Sequence, residues 1–309
     1  MTRTALAIGC GGTIGGAWAV AALHHVAEQT GWDPASASIL QGTSAGAEIV
    51  TMFGGGYTVD DLVAMASGRP RDRVLAAHLA DCPPSLPPLP APAKPRLSSL
   101  SRAGGHRRLV GVAPRGRGDA AWLQRLADAA TGGDDWFARD GLRLVAYRPA
   151  DGRRVAFGAP DAPAATAGQA LRASWGIPGW MPPVAIGGSS YVDGGAASTA
   201  SVDLIGADEA DVVYVIAPMA SAPGIKAPGL GGIAEHALLR SPMSTLLHRE
   251  VHEVRARGTQ VVLITPDAAD LAGLGGHFMR RTRRQAAFDS SMRTAAASVR
   301  RALNEGDAA

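Results

Sequence analysis

The stretch Ile39-Leu40-Gln41-Gly42-Thr43-Ser44-Ala45-Gly46-Ala47 limits the fold more than any other part of the chain. An apolar run that fits a buried strand stops at Gly42, a serine follows at the bend, and good helix formers begin at Ala45. This is G-x-S-x-G in the strand-turn-helix setting that a nucleophile elbow requires. Small residues on both sides, Gly42 and Gly46 above all, let the backbone pass close to its neighbours while Ser44 Oγ projects outward. A similar unit precedes it: residues 4–8 read as a buried strand, residues 9–16 as a glycine loop and residues 17–28 as a helix. Two strand-loop-helix units in succession predict an α/β fold with a parallel sheet.

The remaining chain extends this pattern, with one interruption. Residues 38–41 are the second predicted strand and residues 45–53 the second helix. A helix is expected over residues 59–67, where Asp60 and Asp61 suit the N-terminal dipole. From residue 68 to residue 118 the texture changes to arginine clusters and the run Pro83-Pro84-Ser85-Leu86-Pro87-Pro88-Leu89-Pro90. Proline at this density excludes long helices and central strands. Because α/β signals resume beyond it, residues 68–118 are read as a cap or lid inserted into a single domain spanning residues 1–309. Residues 122–130 are expected to be helical. Residues 142–147 and 154–158 read as strands joined by the hairpin dipeptide Asp151-Gly152. A helix ends at Ser174, residues 212–217 and 260–265 are further strands, and residues 278–303 close the chain as one or two helices.

Composition sets the outer limits. With 309 residues, 46% of them hydrophobic, the chain can bury a substantial core, and a net charge of +3 makes no demand for a nucleic-acid partner. Cys10 and Cys82 are too few for a disulfide framework. Arg3 followed by small apolar residues to Leu23 has the outline of a secretory leader, but glycine is too dense there for a continuous helix and no cleavage junction follows. No apolar run reaches the roughly 18 residues of a membrane span. A soluble, cytoplasmic protein is expected. Arg280-Arg281-Thr282-Arg283-Arg284, Arg69, Arg71, Arg73 and Arg107-Arg108 offer transient contact with anionic membrane surfaces if they share a face with Ser44, and are otherwise solvated.

A serine hydroxyl is a weak nucleophile at neutral pH and needs a base and oxyanion donors. Glycines in Gly9-Cys10-Gly11-Gly12-Thr13-Ile14-Gly15-Gly16 would let successive N–H groups converge on negative charge, for an oxyanion or a phosphate; a plain tight turn would also use them. In Tyr191-Val192-Asp193-Gly194-Gly195 an apolar approach ends in a carboxylate at what reads as the mouth of the sheet. Asp-Gly is also a common turn.

With Arg172-Ala173-Ser174-Trp175-Gly176-Ile177-Pro178 and Pro182-Pro183, these motifs stand in an order that resembles the patatin-like phospholipase family. The resemblance implies a three-layer α/β/α sandwich with a mostly parallel central sheet. It also implies lipid acyl hydrolase activity through a dyad of Ser44 as nucleophile and Asp193 as base, with N–H groups around Gly11 and Gly12 as the oxyanion hole and no metal or other cofactor. Cys10 departs from the pattern by taking the first glycine slot, and Ile14 stands where an arginine or lysine is usual. Trp180-Met181 replace a phenylalanine before the proline pair, either as lining of an acyl channel or as core.

Three rival readings remain. A Ser-His-Asp triad would draw on His236, His248, His252 or His277, which all follow Asp193. His248 and His252 have helical i,i+4 spacing, but Glu250 is one position off the H-E-x-x-H zinc pattern, which favours a solvated helix face. Dinucleotide binding would use the loop at residues 9–16, yet its third glycine is displaced and no carboxylate ends the second strand. A relative that binds lipid without turnover is the third.

Overall fold

The computed structural model describes residues 2–81 and 115–307. Strand β1 (Thr4–Ile8) leads into helix α1 (Gly12–Thr30), strand β2 (Ile39–Thr43) and helix α2 (Ala45–Gly54). Helices α3 (Val59–Ala66), α4 (Arg73–Ala80) and α5 (Ala121–Thr131) precede the hairpin of β3 (Leu142–Arg148) and β4 (Arg153–Phe157). Helix α6 (Ala167–Ser174), strands β5 (Val184–Ile186), β6 (Ser189–Asp193) and β7 (Val212–Ile216), and helices α7 (Gly229–Glu235) and α8 (Ser241–Ala256) follow. Strand β8 (Gln260–Ile264) and helices α9 (Ala268–Leu274) and α10 (Arg284–Asp307) complete the chain.

The strands form one sheet whose bonded neighbours run β5-β6-β3-β2-β1-β7-β8, with β4 also paired to β3. From β3 to β8 along this path every pairing is parallel, whereas β4 and β6 run antiparallel to β3. Helices cover both faces, giving the three-layer α/β/α arrangement. Parallel strands buried on two sides must be apolar throughout, and four of the five residues of β1 are buried. One core, with Leu6, Ile8, Trp18, Leu23 and Leu40, lies under α1, α2 and α10. A second, with Ala5, Ala7, Val213, Val215, Leu247 and Val251, fills the opposite face under α8. Full burial of each large aliphatic side chain contributes roughly 1.5–3 kcal/mol.

The hairpin around Asp151-Gly152 forms, with Arg148 opposite Arg153. Helix α3 starts on a capping box in which Thr58 and Asp61 bond reciprocally, so Asp61 does more than oppose the dipole. Helix α1, by contrast, begins five residues before the predicted position and leaves only residues 9–11 as loop. Tertiary packing overrides glycine's poor helix propensity here, because a Cβ at Gly15 would lie 3.0 Å from Pro218 and one at Gly16 3.4 Å from Ala45. Of the proposed insertion, residues 73–80 form α4, a helix in a stretch read as unfavourable for long ones, while Arg107, Arg108 and the proline run lie outside the described residues.

Candidate active site

Strand β3 brings the two ends of the site together. It pairs with β2 through residues 142–145, with β4 through residues 144–148 and with β6 through residues 146 and 147. Since β4 overlaps both of the others, it must occupy the opposite edge, and β2 and β6 share one edge. Thr43 is opposite Val145 and Asp193 is opposite the next residue, Ala146. The parallel strand ending at Thr43 and the antiparallel strand ending at Asp193 therefore meet head to head, and Ser44 turns away at the junction. Residues 149 positions apart in the chain become neighbours.

The glycines at this junction answer to crowding. A Cβ on Gly46 would stand 2.0 Å from the Ile8 carbonyl oxygen, and one on Gly42 2.4 Å from that of Gly46, so the turn closes only without side chains. Past Asp193 the chain would run into the end of β2. It bends instead through a short 3-10 turn at Gly194–Ala196, where a Cβ on Gly194 would lie 2.7 Å from the Val145 oxygen. Ser44 itself takes φ 56°, a left-handed conformation that costs a non-glycine residue energy and that only surrounding contacts can maintain. One such contact is with Ser174, whose Oγ accepts the Ser44 N–H at 2.9 Å. Two residues on, the Gly176 carbonyl accepts the Asp193 N–H at 3.0 Å. The segment at residues 172–178 thus grips both residues, a role that its motif gave no sign of, since a buried serine at a helix end also fits ordinary packing.

Both residues are buried: Ser44 is 2% and Asp193 5% exposed. Burial pushes the Asp193 carboxyl up to about 7, against hydrogen bonds from Ser44 and the Gly195 N–H, which favour the ionised form. The latter bond is 2.7 Å. No cation and no histidine is among these influences. His277 accepts from the Met279 N–H, and His248 and His252 line a separate cavity with Arg255 and Arg301. In another cluster His24, His25 and Glu28 have ligand atoms within 4.8 Å, but both ring nitrogens of His25 are engaged, with Glu28 and the Met292 carbonyl.

The glycine loop lies beside the serine turn. Gly11 caps α1 and Gly12 opens it, where intrahelical acceptors are lacking for the N–H groups. Neighbouring N–H groups are already taken: Cys10 bonds to Thr199 and Ile14 to Phe278. Gly12, Thr13 and Ala45 border one cavity, with Glu48, Trp122, Trp175 and Arg284. Cys10 turns its sulfur toward Thr199 Oγ1, and burial first and Asp193 second push its thiol up to about 12, which makes it inert filling. Ile14 is buried in the core, and so are Trp180 and Met181, which pack on residues 116–118 rather than on this cavity.

The family model described as Patatin-like phospholipase matches residues 6–205, a span that holds every residue of this junction. The chain belongs to the patatin-like phospholipase family. No curated protein is similar enough to count as a match. Patatin-like phospholipases are lipid acyl hydrolases, and the matched span takes in β2, β3 and β6, the three strands that meet at this site. Among the described residues no helix is long and apolar enough to cross a membrane.

Proposed function

We propose that this protein is a serine acyl hydrolase that cleaves carboxylic ester bonds of lipids, a phospholipid or lysophospholipid first among them, through a Ser44–Asp193 dyad. The observation that carries this reading is the head-to-head register of β2 and β6, which sets a buried carboxylate, without a countercharge among the described residues, against a strained serine. Asp193 takes the Ser44 proton as Oγ attacks the ester carbonyl, and the N–H groups of Gly11 and Gly12 receive the oxyanion. Collapse expels the alcohol with the proton from Asp193 and leaves an acyl-enzyme. Water, deprotonated by Asp193, then releases the fatty acid and restores Ser44. A carboxylate is ordinarily too weak a base near neutrality, and burial that raises Asp193 to about 7 supports it in this role. Gly42 and Gly46 serve as the elbow glycines. Of the segment read as a cap, residues 82–114 lie outside the described residues; the arginines near residues 69–73 and 280–284 supply the membrane contact of a cytoplasmic enzyme.

The test is labelling with a fluorophosphonate followed by peptide mass spectrometry, with Ser44→Ala as the blank. Modification at Ser44 and release of fatty acid from mixed lipids by the wild type alone are expected. An unlabelled Ser44 in folded protein would overturn the assignment.

A further inference from the structure

The second half of α1 carries a side-chain cluster that the serine chemistry does not use. His24 Nε2 lies 3.4 Å and His25 Nδ1 3.0 Å from the same atom, Oε2 of Glu28, one helical turn on. All three groups have ligand atoms within 4.8 Å of one another. His25 is buried, 8% exposed, and its other ring nitrogen lies 3.1 Å from the Met292 carbonyl oxygen on α10. Both neighbours of that ring are acceptors: a carbonyl has no proton to give, and neither has an ionised carboxylate. A neutral imidazole carries a single N–H and can satisfy only one of them. Either the ring holds two protons, or a cation stands between Nδ1 and Glu28.

The distances favour the cation. Zinc holds histidine nitrogens and carboxylate oxygens at about 2.0–2.2 Å, which in a tetrahedron sets neighbouring donor atoms about 3.3–3.4 Å apart. The two contacts to Glu28 stand near that separation, and the third edge, between the histidines, needs only a small rotation of the partly exposed His24 ring. A ring N–H given to a backbone carbonyl is the outer contact that fixes a ligating histidine and leaves its other nitrogen bare for the metal. Magnesium and calcium would call for more oxygen donors than the cluster has. We propose that His24, His25 and Glu28 bind one zinc ion, with water as the fourth ligand, at a site separate from the residues of the serine junction. Gln29 Nε2 also donates to α10, at the Ala296 carbonyl, so the metal sits where α1 is tied to α10 and tightens that pairing. The inference does not depend on the identity of the nucleophile.

The experiment titrates the chelator-stripped full chain with zinc against a chromophoric competitor and follows thermal unfolding in parallel. One zinc per chain is expected, with a rise in melting temperature on its addition. His24→Gln and Glu28→Gln alter side chains that are partly exposed and so compatible with folding. Each should weaken zinc binding by about tenfold or more, the least that loss of even a supporting contact costs, and should abolish the rise. His248→Gln combined with His252→Gln removes the other histidine pair at helical spacing and should change neither readout. Cobalt(II) in place of zinc should absorb as nitrogen and oxygen ligation does, without a thiolate charge-transfer band. Folded wild type that binds no zinc, which would mean a ring holding both protons, overturns the proposal. So does a thiolate band, binding that survives Glu28→Gln unchanged, or binding that is lost with the α8 pair.

Discussion

Asp193 and Glu250 are both buried carboxyl groups that burial pushes upward, yet their surroundings differ in kind. Glu250, on α8, is embedded in compensation: its Oε1 lies 2.6 Å from Arg154 Nη1, which also holds Asp203, and its Oε2 accepts from Ser198 Oγ at 2.9 Å. Asp203 raises it further and Arg154 draws it back down. Among the described residues Asp193 has only a serine and one backbone N–H. A fold that needed merely to fill space would not bury an acid so poorly supported, whereas a base must keep its affinity for a proton. The Glu250 cluster ties α8 and β4 to the segment that follows β6, and the thin support at Asp193 is what the proposed role of a base would need.

The largest effect that can break this contrast is at Asp193 itself. Asp193→Asn should lower kcat/KM by three orders of magnitude or more, as Ser44→Ala should. Stability should move the other way. The folded pKa, about 7, lies above the ordinary carboxyl value of 3.8, so the stability that the protonated form contributes is complete below pH 3.8 and lost as pH rises through 7. At pH 8 the wild type therefore carries a penalty of up to about 4 kcal/mol that asparagine lacks. Urea unfolding at pH 5 and pH 8 should show the variant gaining on the wild type at the higher pH. Wild-type kcat/KM should rise through a midpoint near 7 over the same interval. Flat activity from pH 5 to 9 would remove Asp193 as the base.

Next in size is Arg154→Leu. It leaves Asp203 and Glu250 facing each other without a cation, and breaking such a buried set costs about 3–5 kcal/mol. The denaturation midpoint should fall accordingly, and the folded fraction should keep most of its specific activity. If activity per folded molecule fell as far as in Asp193→Asn, the division between a structural and a chemical acid would be wrong.

The sequence made the halves of the site legible to different degrees. Around Ser44 the information is local: a strand, a glycine, a serine and a helix in nine consecutive residues describe the turn, and Gly42 and Gly46 are positions where a Cβ would collide with backbone. Asp193-Gly194-Gly195 has no such local signature, because its glycines answer to Val145, Thr43 and Cys10, all distant in the chain. Only the order of motifs along the chain pointed to it. The head-to-head meeting of β2 and β6 depends on where β4 occupies β3, a matter of pairing that no periodicity encodes. The early start of α1 was missed for a related reason: glycine argues locally against a helix, and Pro218 and Ala45, which require it there, come from elsewhere. The two acceptors that face His25 are likewise invisible until Met292 is placed.

The smallest effect concerns the segment that serves both residues. Ser174 is fully buried and its hydroxyl is the acceptor for the Ser44 N–H, so Ser174→Ala leaves that N–H unsatisfied at a cost of about 1–3 kcal/mol. If the bond also maintains the left-handed backbone of Ser44, its worth depends on what stands at position 44. Glycine adopts φ 56° without strain, so a Ser44→Gly background should need the support less. A double-mutant cycle by urea unfolding should then show Ser174→Ala costing less in the Ser44→Gly background than in the wild type, by about 0.5–1 kcal/mol. Additive costs would mean that Ser174 satisfies a donor and does nothing for the turn. A measured coupling would place the energy that maintains the strained serine in the segment that also fixes Asp193, so that one structural element sets the geometry of both members of the proposed dyad.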